Sequence, residues 1–164
     1  MSNGREIRSY DYVNQPYERV RDALKQNATA VFQAATKAAA SRAQSVAAEL
    51  HLDFGGIGLK TDIKISVKNV EEEVVDLAST PILRLPLEWE AATAPRLFPF
   101  MKAELSVYPL TSTETQLDFF GTYEPPFGAL GKTMNAIVLH RIAEASVHRF
   151  VGEVAAHLRQ TLAG

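Results

Sequence analysis

Apolar and polar residues alternate along five stretches in the middle of the chain. A period of two is the pattern of a strand with one buried face and one solvated face, so these stretches predict a sheet. Most connections between them are short, which favours antiparallel neighbours. The predicted strands cover residues 46–54, 59–67, 82–92, 101–108 and 116–123.

The apolar parity of each stretch should face the core, because burying a large apolar side chain contributes about 1.5–3 kcal/mol. The charged parity should face water. We therefore expect Leu50, Leu85, Leu105 and Phe119 to be buried, and Lys64 and Glu88 to be exposed.

Before the sheet pattern begins, the sequence predicts one strand and two helices. Glu6–Val13 alternates weakly and has polar residues on both faces, which indicates an edge strand. Pro16 favours a helix start because proline fits the first helical position, and this helix is expected to end near Gln26. Asn27 is a suitable N-cap for a second, alanine-rich helix that continues to Ala43.

The last fifth of the chain, from Ala129 to Leu162, predicts one long helix. At a period of 3.6 residues its apolar positions change face partway, and the early face also contains Arg141 and His148. A helix with two apolar faces should contact two surfaces. The early stripe comprises Leu130, Met134, Ile137, Val138 and Ala145, and the later stripe comprises Val147, Val151, Val154, Leu158 and Leu162.

Size and composition limit the function classes. The 164 residues predict a single domain that spans positions 1–164. A net charge of −2 gives no electrostatic support for binding nucleic acid. No stretch approaches the roughly 18 apolar residues of a membrane span. The absence of cysteine excludes disulfides and thiolate metal ligands, and it fits a cytoplasmic location.

Motifs for nucleotides and metals are incomplete. Gly131-Lys132-Thr133 resembles the end of a phosphate-binding loop, but position 126 is proline where that loop requires glycine. Glu71–Glu73 is expected to be a solvated turn or strand end. We therefore expect no cofactor.

The four histidines do not form a metal motif. No two of them have the i, i+4 spacing that places two ligands on one helix face, so we expect no metal. His140 and His157 are expected to face solvent, and His148 to be a hydrogen-bonded core residue.

Three short segments carry a resemblance to a known superfamily. They are Val13–Val20 at the first passage from strand to helix, Gly128–Gly131 at the start of the terminal helix, and Leu139–Ala145 within it. With the order of elements, they resemble the START-like (SRPBCC) superfamily, the polyketide cyclase/dehydrase and lipid-transport group. The resemblance implies an α+β helix-grip fold, in which a curved antiparallel sheet of about six or seven strands wraps around a long C-terminal helix. Two short helices follow its first strand.

The helix-grip resemblance also implies an apolar cavity between the sheet and the terminal helix. Arg141 is the most informative charged residue there, and two interpretations of it remain open. In the structural interpretation, it forms an ion pair with Asp118 or Glu104 or extends its charged end to the edge of the core. In the functional interpretation, it anchors a carboxylate or carbonyl of an apolar ligand. The candidate ligand-binding residues are Trp89, Leu105, Phe119, Tyr123, Met134, Val138 and Arg141.

Three functions are consistent with these features. The first is binding of a small hydrophobic or amphipathic ligand, such as a lipid, isoprenoid or polyketide-like compound. The second is an aromatase/cyclase- or dehydratase-like activity, for which only Arg141, Tyr123 and Tyr108 offer acid or base groups. The third is a partner-binding regulatory module, which an exposed apolar patch would favour.

Overall fold

The computed structural model describes residues 5–49, 63–74, 80–91, 100–124 and 136–163. These residues form one antiparallel sheet and two long helices, which confirms the predicted α+β class. The strands are β1 (Arg5–Val13), β2 (Ile63–Val67), β3 (Glu71–Val74), β4 (Pro81–Ala91), β5 (Phe100–Thr111) and β6 (Glu114–Glu124), and the helices are α1 (Tyr17–Glu49) and α2 (Ala136–Leu162).

The described strands are ordered β1-β6-β5-β4-β2, and β3 pairs with the other half of β4. All these pairs are antiparallel, as the short connections predict. β1 lies at one edge of the described sheet, which confirms the interpretation of Glu6–Val13 as an edge strand. The turn from β5 to β6 falls at Thr111–Thr113, where the Thr113 amide donates to the Thr111 hydroxyl at 3.2 Å.

The predicted strand parities are confirmed in β4, β5 and β6. Leu85, Leu105 and Phe119 are all fully buried. Glu88 is partly exposed, with 34% of its side chain accessible, and its carboxylate lies 3.8 Å from Lys68 Nζ. Leu50 and the side chain of Lys64 lie outside the described residues.

One half of the inner sheet face is filled by aliphatic side chains. Residues opposite each other across an antiparallel pair share a face, so the strand registers place these side chains in adjacent rows. We call this half the leucine end, and it comprises Leu83, Leu85, Leu105, Val107 and Leu117, all fully buried.

The start and the break of α1 follow from two residues. The carbonyl oxygen of Pro16 accepts hydrogen bonds from the amides of Arg19 at 3.1 Å and Val20 at 3.2 Å, so the helix begins directly after the proline. Asn27 has a φ of −135° and a ψ of 28°, which interrupts the helix. This confirms the predicted boundary between two helices.

The second half of α1 is longer than predicted. It extends to Glu49, so the strand predicted for residues 46–54 is wrong over 46–49. Residues 46–49 are helical although Val46 and Ala48 alternate with polar or small residues. Alanine has the highest helix propensity, and the run before them is rich in alanine. The remainder of that predicted strand, from Leu50 onward, lies outside the described residues.

Where its side chains are described, from residue 140 onward, α2 has a single buried stripe. The predicted change of face stays a prediction, because Leu130, Met134, Ile137 and Val138 are not among the described side chains. The later stripe is confirmed, but Arg141 and His148 on the early stripe are exposed. The observed spacing of three and four residues keeps one face toward the core, and Arg141 lies beside that face. Among the described residues, neither helix has an apolar segment long enough to cross a membrane. The buried side chains are Ala143, Ser146, Val147, Phe150, Val151, Val154, Ala155 and Leu158.

A buried tyrosine joins α1 to β3. The Tyr17 hydroxyl donates to Glu72 Oε2 at 2.6 Å, and Arg21 Nη1 lies 3.5 Å from the same oxygen. This hydrogen bond is the main cause that lowers the pKa of the Glu72 carboxyl. Glu71–Glu73 belongs to the short, exposed strand β3, which confirms the expected solvated strand end, and its central carboxylate also joins two elements.

Candidate functional site

The other half of the inner sheet face differs in chemistry from the leucine end. The registers align Ile65, Trp89, Met101 and Tyr123 in one row across β2, β4, β5 and β6. All four side chains are buried, with at most 9% of any residue exposed. We call this row the aromatic end. It combines apolar surface with one phenolic hydroxyl.

Small residues lie directly behind the aromatic end. Ala103 and Gly121 face each other across β5 and β6 in the next row. A Cβ atom on Gly121 would lie 3.0 Å from the Ala103 Cβ and 3.1 Å from Phe119 Cε1, both closer than ordinary contacts. Glycine at this position therefore leaves room for the Phe119 ring to lean along the sheet toward Trp89.

Aromatic rings connect the sheet to both helices. The Trp89 ring stacks on Phe119 with centroids 5.9 Å apart, and it meets the edge of Phe150 of α2 at 5.2 Å. Phe32 of α1 lies 5.6 Å from Phe150. Phe119 is thus held inside a ring cluster, whereas Trp89 belongs both to this cluster and to the aromatic end.

The only phenolic hydroxyl of the aromatic end is bonded to a histidine of α2. Tyr123 Oη lies 2.9 Å from His140 Nδ1, and His140 Nε2 lies 3.5 Å from Glu144 Oε2. Burial raises the pKa of the Tyr123 hydroxyl; nearby Arg5 acts in the opposite direction and Glu144 in the same direction. The side chain of His140 is only 35% exposed, so the expectation that it simply faces solvent is wrong.

Arg141, the next residue of α2, does not occupy the apolar position predicted for it. Its side chain is exposed. Glu104, one of its expected partners, instead accepts a hydrogen bond from Arg84 Nη1 at 3.0 Å. The helix turns His140 toward Tyr123 and Arg141 toward water, because residues one apart lie about 100° apart around a helix.

The remaining predicted ligand-binding residues fall into two groups. Leu105 is fully buried at the leucine end, away from the row that contains Tyr123. Met134 lies outside the described residues, and Val138 belongs to α2 but its side chain is not among those described. Their contact with a ligand stays a prediction.

A second histidine of α2 contacts β1. Ser9 Oγ lies 2.9 Å from His148 Nδ1, and only 3% of Ser9 is exposed. His148 is exposed, so it is not the core residue that was predicted, although its hydrogen bond is present. The contact satisfies a buried hydroxyl and joins the edge strand to the helix.

Two clefts at the surface are lined by described residues next to the break in α1. One, of about 400 Å³, lies between α1 and the end of α2, where Val31, Leu158 and the exposed His157 contribute to its walls. The other, of about 520 Å³, lies between α1 and residues around Val67. The residues that line these two clefts do not include the aromatic end.

The chain is similar in fold to solved structures, although it matches no family model and no curated protein. It is similar to the Zhui aromatase/cyclase from Streptomyces sp. R1128 at 13% identity and a TM-score of 0.50, over 98% of this chain and 96% of that one. It is similar to Ara h 8.0201 at 8% identity and a TM-score of 0.44, over 96% and 99% of the two chains. A protein from Thermus thermophilus, TTHA0849, has 11% identity and a TM-score of 0.43, over 98% and 100%.

At these identities the similarity concerns the fold. The observed order of a strand, a broken helix, an antiparallel sheet and a long helix is the same as the one implied by the sequence motifs. The chain therefore has a helix-grip fold, as the resemblance implied.

Proposed function

We propose that the protein binds a small hydrophobic or amphipathic molecule between the sheet and α2, at the aromatic end. One observation carries the proposal. Trp89 and Met101 present buried apolar surface beside Tyr123, whose hydroxyl forms a polar pair with His140. Sites for small molecules typically combine mostly apolar walls with a few polar groups that fix orientation.

The leucine end does not offer this combination. Its inner side chains are aliphatic and fully buried, which is the composition of a plain core. The ligand therefore lies toward the start of α2, in contact with Trp89, Met101 and Tyr123, and not among the leucines. The proposal keeps the cytoplasmic location expected from the sequence.

A second candidate is an aromatase/cyclase-like enzyme. The fold likeness to the Zhui aromatase/cyclase supports it, and so does the chain of contacts from Tyr123 through His140 to Glu144. A phenol bonded to an imidazole is suited to moving protons at a ligand carbonyl during enolisation. The enzyme ranks second because it needs acid or base groups at the ligand. Among the described residues, we find only these three at the aromatic end.

The proposal is tested by the emission of Trp89, the only tryptophan in the sequence. Titration with 2-undecanol should change this emission saturably, and an excess of a second apolar compound should reverse the change. Met101→Ala should weaken binding about fivefold, which corresponds to losing about 1 kcal/mol of apolar contact.

Val107→Ala is the matched control, because Val107 is also on β5, faces inward and is fully buried, but lies at the leucine end. It should leave the affinity within about twofold, a change of less than about half a kcal/mol. Absence of saturable binding, or equal losses in the two variants, would contradict the proposed function.

A further inference from the structure

The hydrogen-bonding role of the Tyr123 hydroxyl depends on its histidine partner. A tyrosine hydroxyl has one hydrogen to donate and lone pairs that accept. Its contact with His140 Nδ1 at 2.9 Å uses one of these roles and leaves the other for a ligand. Which role remains is decided by whether Nδ1 carries a proton.

The negative charge of Glu144 favours one position of that proton while the imidazole is neutral. Its carboxylate oxygen lies 3.5 Å from His140 Nε2. A carboxylate accepts hydrogen bonds, so it favours the tautomer with the hydrogen on Nε2 and leaves Nδ1 as an acceptor. Tyr123 then donates its only hydrogen to Nδ1, and its lone pairs face the aromatic end.

Protonation of the imidazole reverses this arrangement. Both nitrogens then carry hydrogens, and Nδ1–H donates to the Tyr123 oxygen. The hydroxyl hydrogen is released and becomes available to a ligand. Within the described part of the chain, two charged groups on the packed elements face the pair: Arg5 of β1, opposite Tyr123 in the sheet, and Glu144 of α2.

We propose that Tyr123 and His140 select the polar end of the ligand, favouring hydroxyl-bearing over carbonyl-bearing ligands while His140 is neutral and binding both about equally well once it is protonated. This inference rests on the proposed function. A ketone has only acceptor atoms, so it opposes the lone pairs of Tyr123 in the neutral state. An alcohol can donate or accept, so it fits both states.

The test compares two ligands with the same carbon skeleton, 2-undecanol and 2-undecanone, by titration of Trp89 emission. Neither ligand titrates between about pH 5 and pH 8, the range in which histidine ordinarily changes charge. At about pH 8 the alcohol should bind about 3- to 10-fold more tightly than the ketone, the range of one neutral hydrogen bond. At about pH 5 the affinity for the ketone should rise by most of this factor, so that the difference between the two ligands nearly disappears.

Two variants remove the selection in different ways. Tyr123→Phe removes the hydroxyl, so the alcohol and the ketone should bind alike at both pH values. His140→Gln removes the imidazole, so the affinity for the ketone should lose its dependence on pH. Tyr108→Phe on the outer face of β5 and His157→Gln near the end of α2 are matched controls, and each should preserve the wild-type pattern.

Nitrogen NMR of the imidazole tests the same inference without a ligand. At about pH 8, His140 should carry its hydrogen on Nε2, and a predominant Nδ1–H tautomer would overturn the selection. If both ligands bind saturably but their affinity ratio stays constant with pH, the selection is wrong and the proposed function stands. If neither ligand binds, the selection and the proposed function fail together.

Discussion

The leucine end and the aromatic end are built from the same strands and the same alternation, yet they differ in what they offer. At the leucine end, neighbouring strands contribute aliphatic side chains that interlock without a polar group. At the aromatic end, Trp89, Met101 and Tyr123 bring rings, a thioether and a hydroxyl that is bonded to α2. Alternation therefore decides which side chains face inward, while the side-chain types decide whether a buried surface only stabilises the fold or also recognises a ligand.

The largest expected effect separates the two ends by stability. Leu105→Ala should lower the free energy of unfolding by about 2–5 kcal/mol, because a fully buried leucine leaves a cavity that its neighbours fill only in part. Tyr123→Phe should lower it by only about 0.5–1.5 kcal/mol, the net contribution of one hydrogen bond. Urea denaturation measures both. A loss below about 1 kcal/mol for Leu105→Ala would contradict the close packing of Leu105 at the leucine end.

The second effect concerns the boundary between the two ends. Gly121→Ala should destabilise the protein by about 1–3 kcal/mol, because the new Cβ meets Ala103 and Phe119 at 3.0 and 3.1 Å and shifts the ring that stacks on Trp89. Gly152→Ala on α2 is the control, since a Cβ there meets nothing within 4 Å. It should stabilise the helix by about 0.5–1 kcal/mol. Thermal unfolding of both variants should therefore shift in opposite directions, and shifts of the same sign would contradict the close approach at Gly121.

The smallest effect is a pH dependence at the hydrogen bond between α1 and β3, where β3 pairs beside the leucine end. Tyr17→Phe should lower the free energy of unfolding by about 1 kcal/mol at neutral pH. The folded-state pKa of Glu72 is lowered, so its stabilisation is complete above the ordinary glutamate pKa of about 4.3 and is lost as the pH falls through the lowered value.

The difference between wild type and Tyr17→Phe should therefore shrink on acidification below about pH 4.3. Tyr10→Phe is the control, because Tyr10 is 74% exposed, and it should change stability by less than about 0.5 kcal/mol at every pH. A difference between wild type and Tyr17→Phe that grows as the pH falls would contradict the role assigned to Glu72.

Strands β4, β5 and β6 were predictable from the sequence because a period of two is a local signal. The alternation of neighbouring residues was enough to predict that the side chains of Leu85, Leu105 and Phe119 face inward. Pro16 and Asn27 were equally informative, because their backbone restrictions act within a single helical turn. These local rules established most of the described fold.

The errors have a different origin. The alternation at Val46 and Ala48 was too short to outweigh the helix propensity of the alanine-rich segment before it. Arg141 was assigned to the core from a stripe that began at Leu130, which lies outside the described residues. The face of a helix depends on how it packs, and a shift of one residue rotates it by about 100°.

The hydrogen bond between Tyr123 and His140 had no signal in the sequence. The two residues are on different elements, and neither has a spacing or a motif that links it to the other. Tyr123 was identified as a candidate because it lies on the inward parity of its strand and offers an acid or base group. His140 was missed because its direction depends on the angle at which α2 crosses the sheet.

The pairing of β1 with β6 has a consequence for how the chain folds. Arg5–Val13 pairs with Thr115–Tyr123, and Arg159 Nη2 of α2 donates to Asp11 Oδ1 at 2.9 Å across 148 positions of sequence. Contacts over such separations form slowly, because the intervening chain loses much of its entropy before they can stabilise the fold. Among the described strands β1 pairs only with β6, so during synthesis this pairing waits until β6 emerges, and the contact of Asp11 with α2 forms only after residue 159. The edge strand is thus made before the elements that hold it in place, and it is among the last of the described segments to be secured.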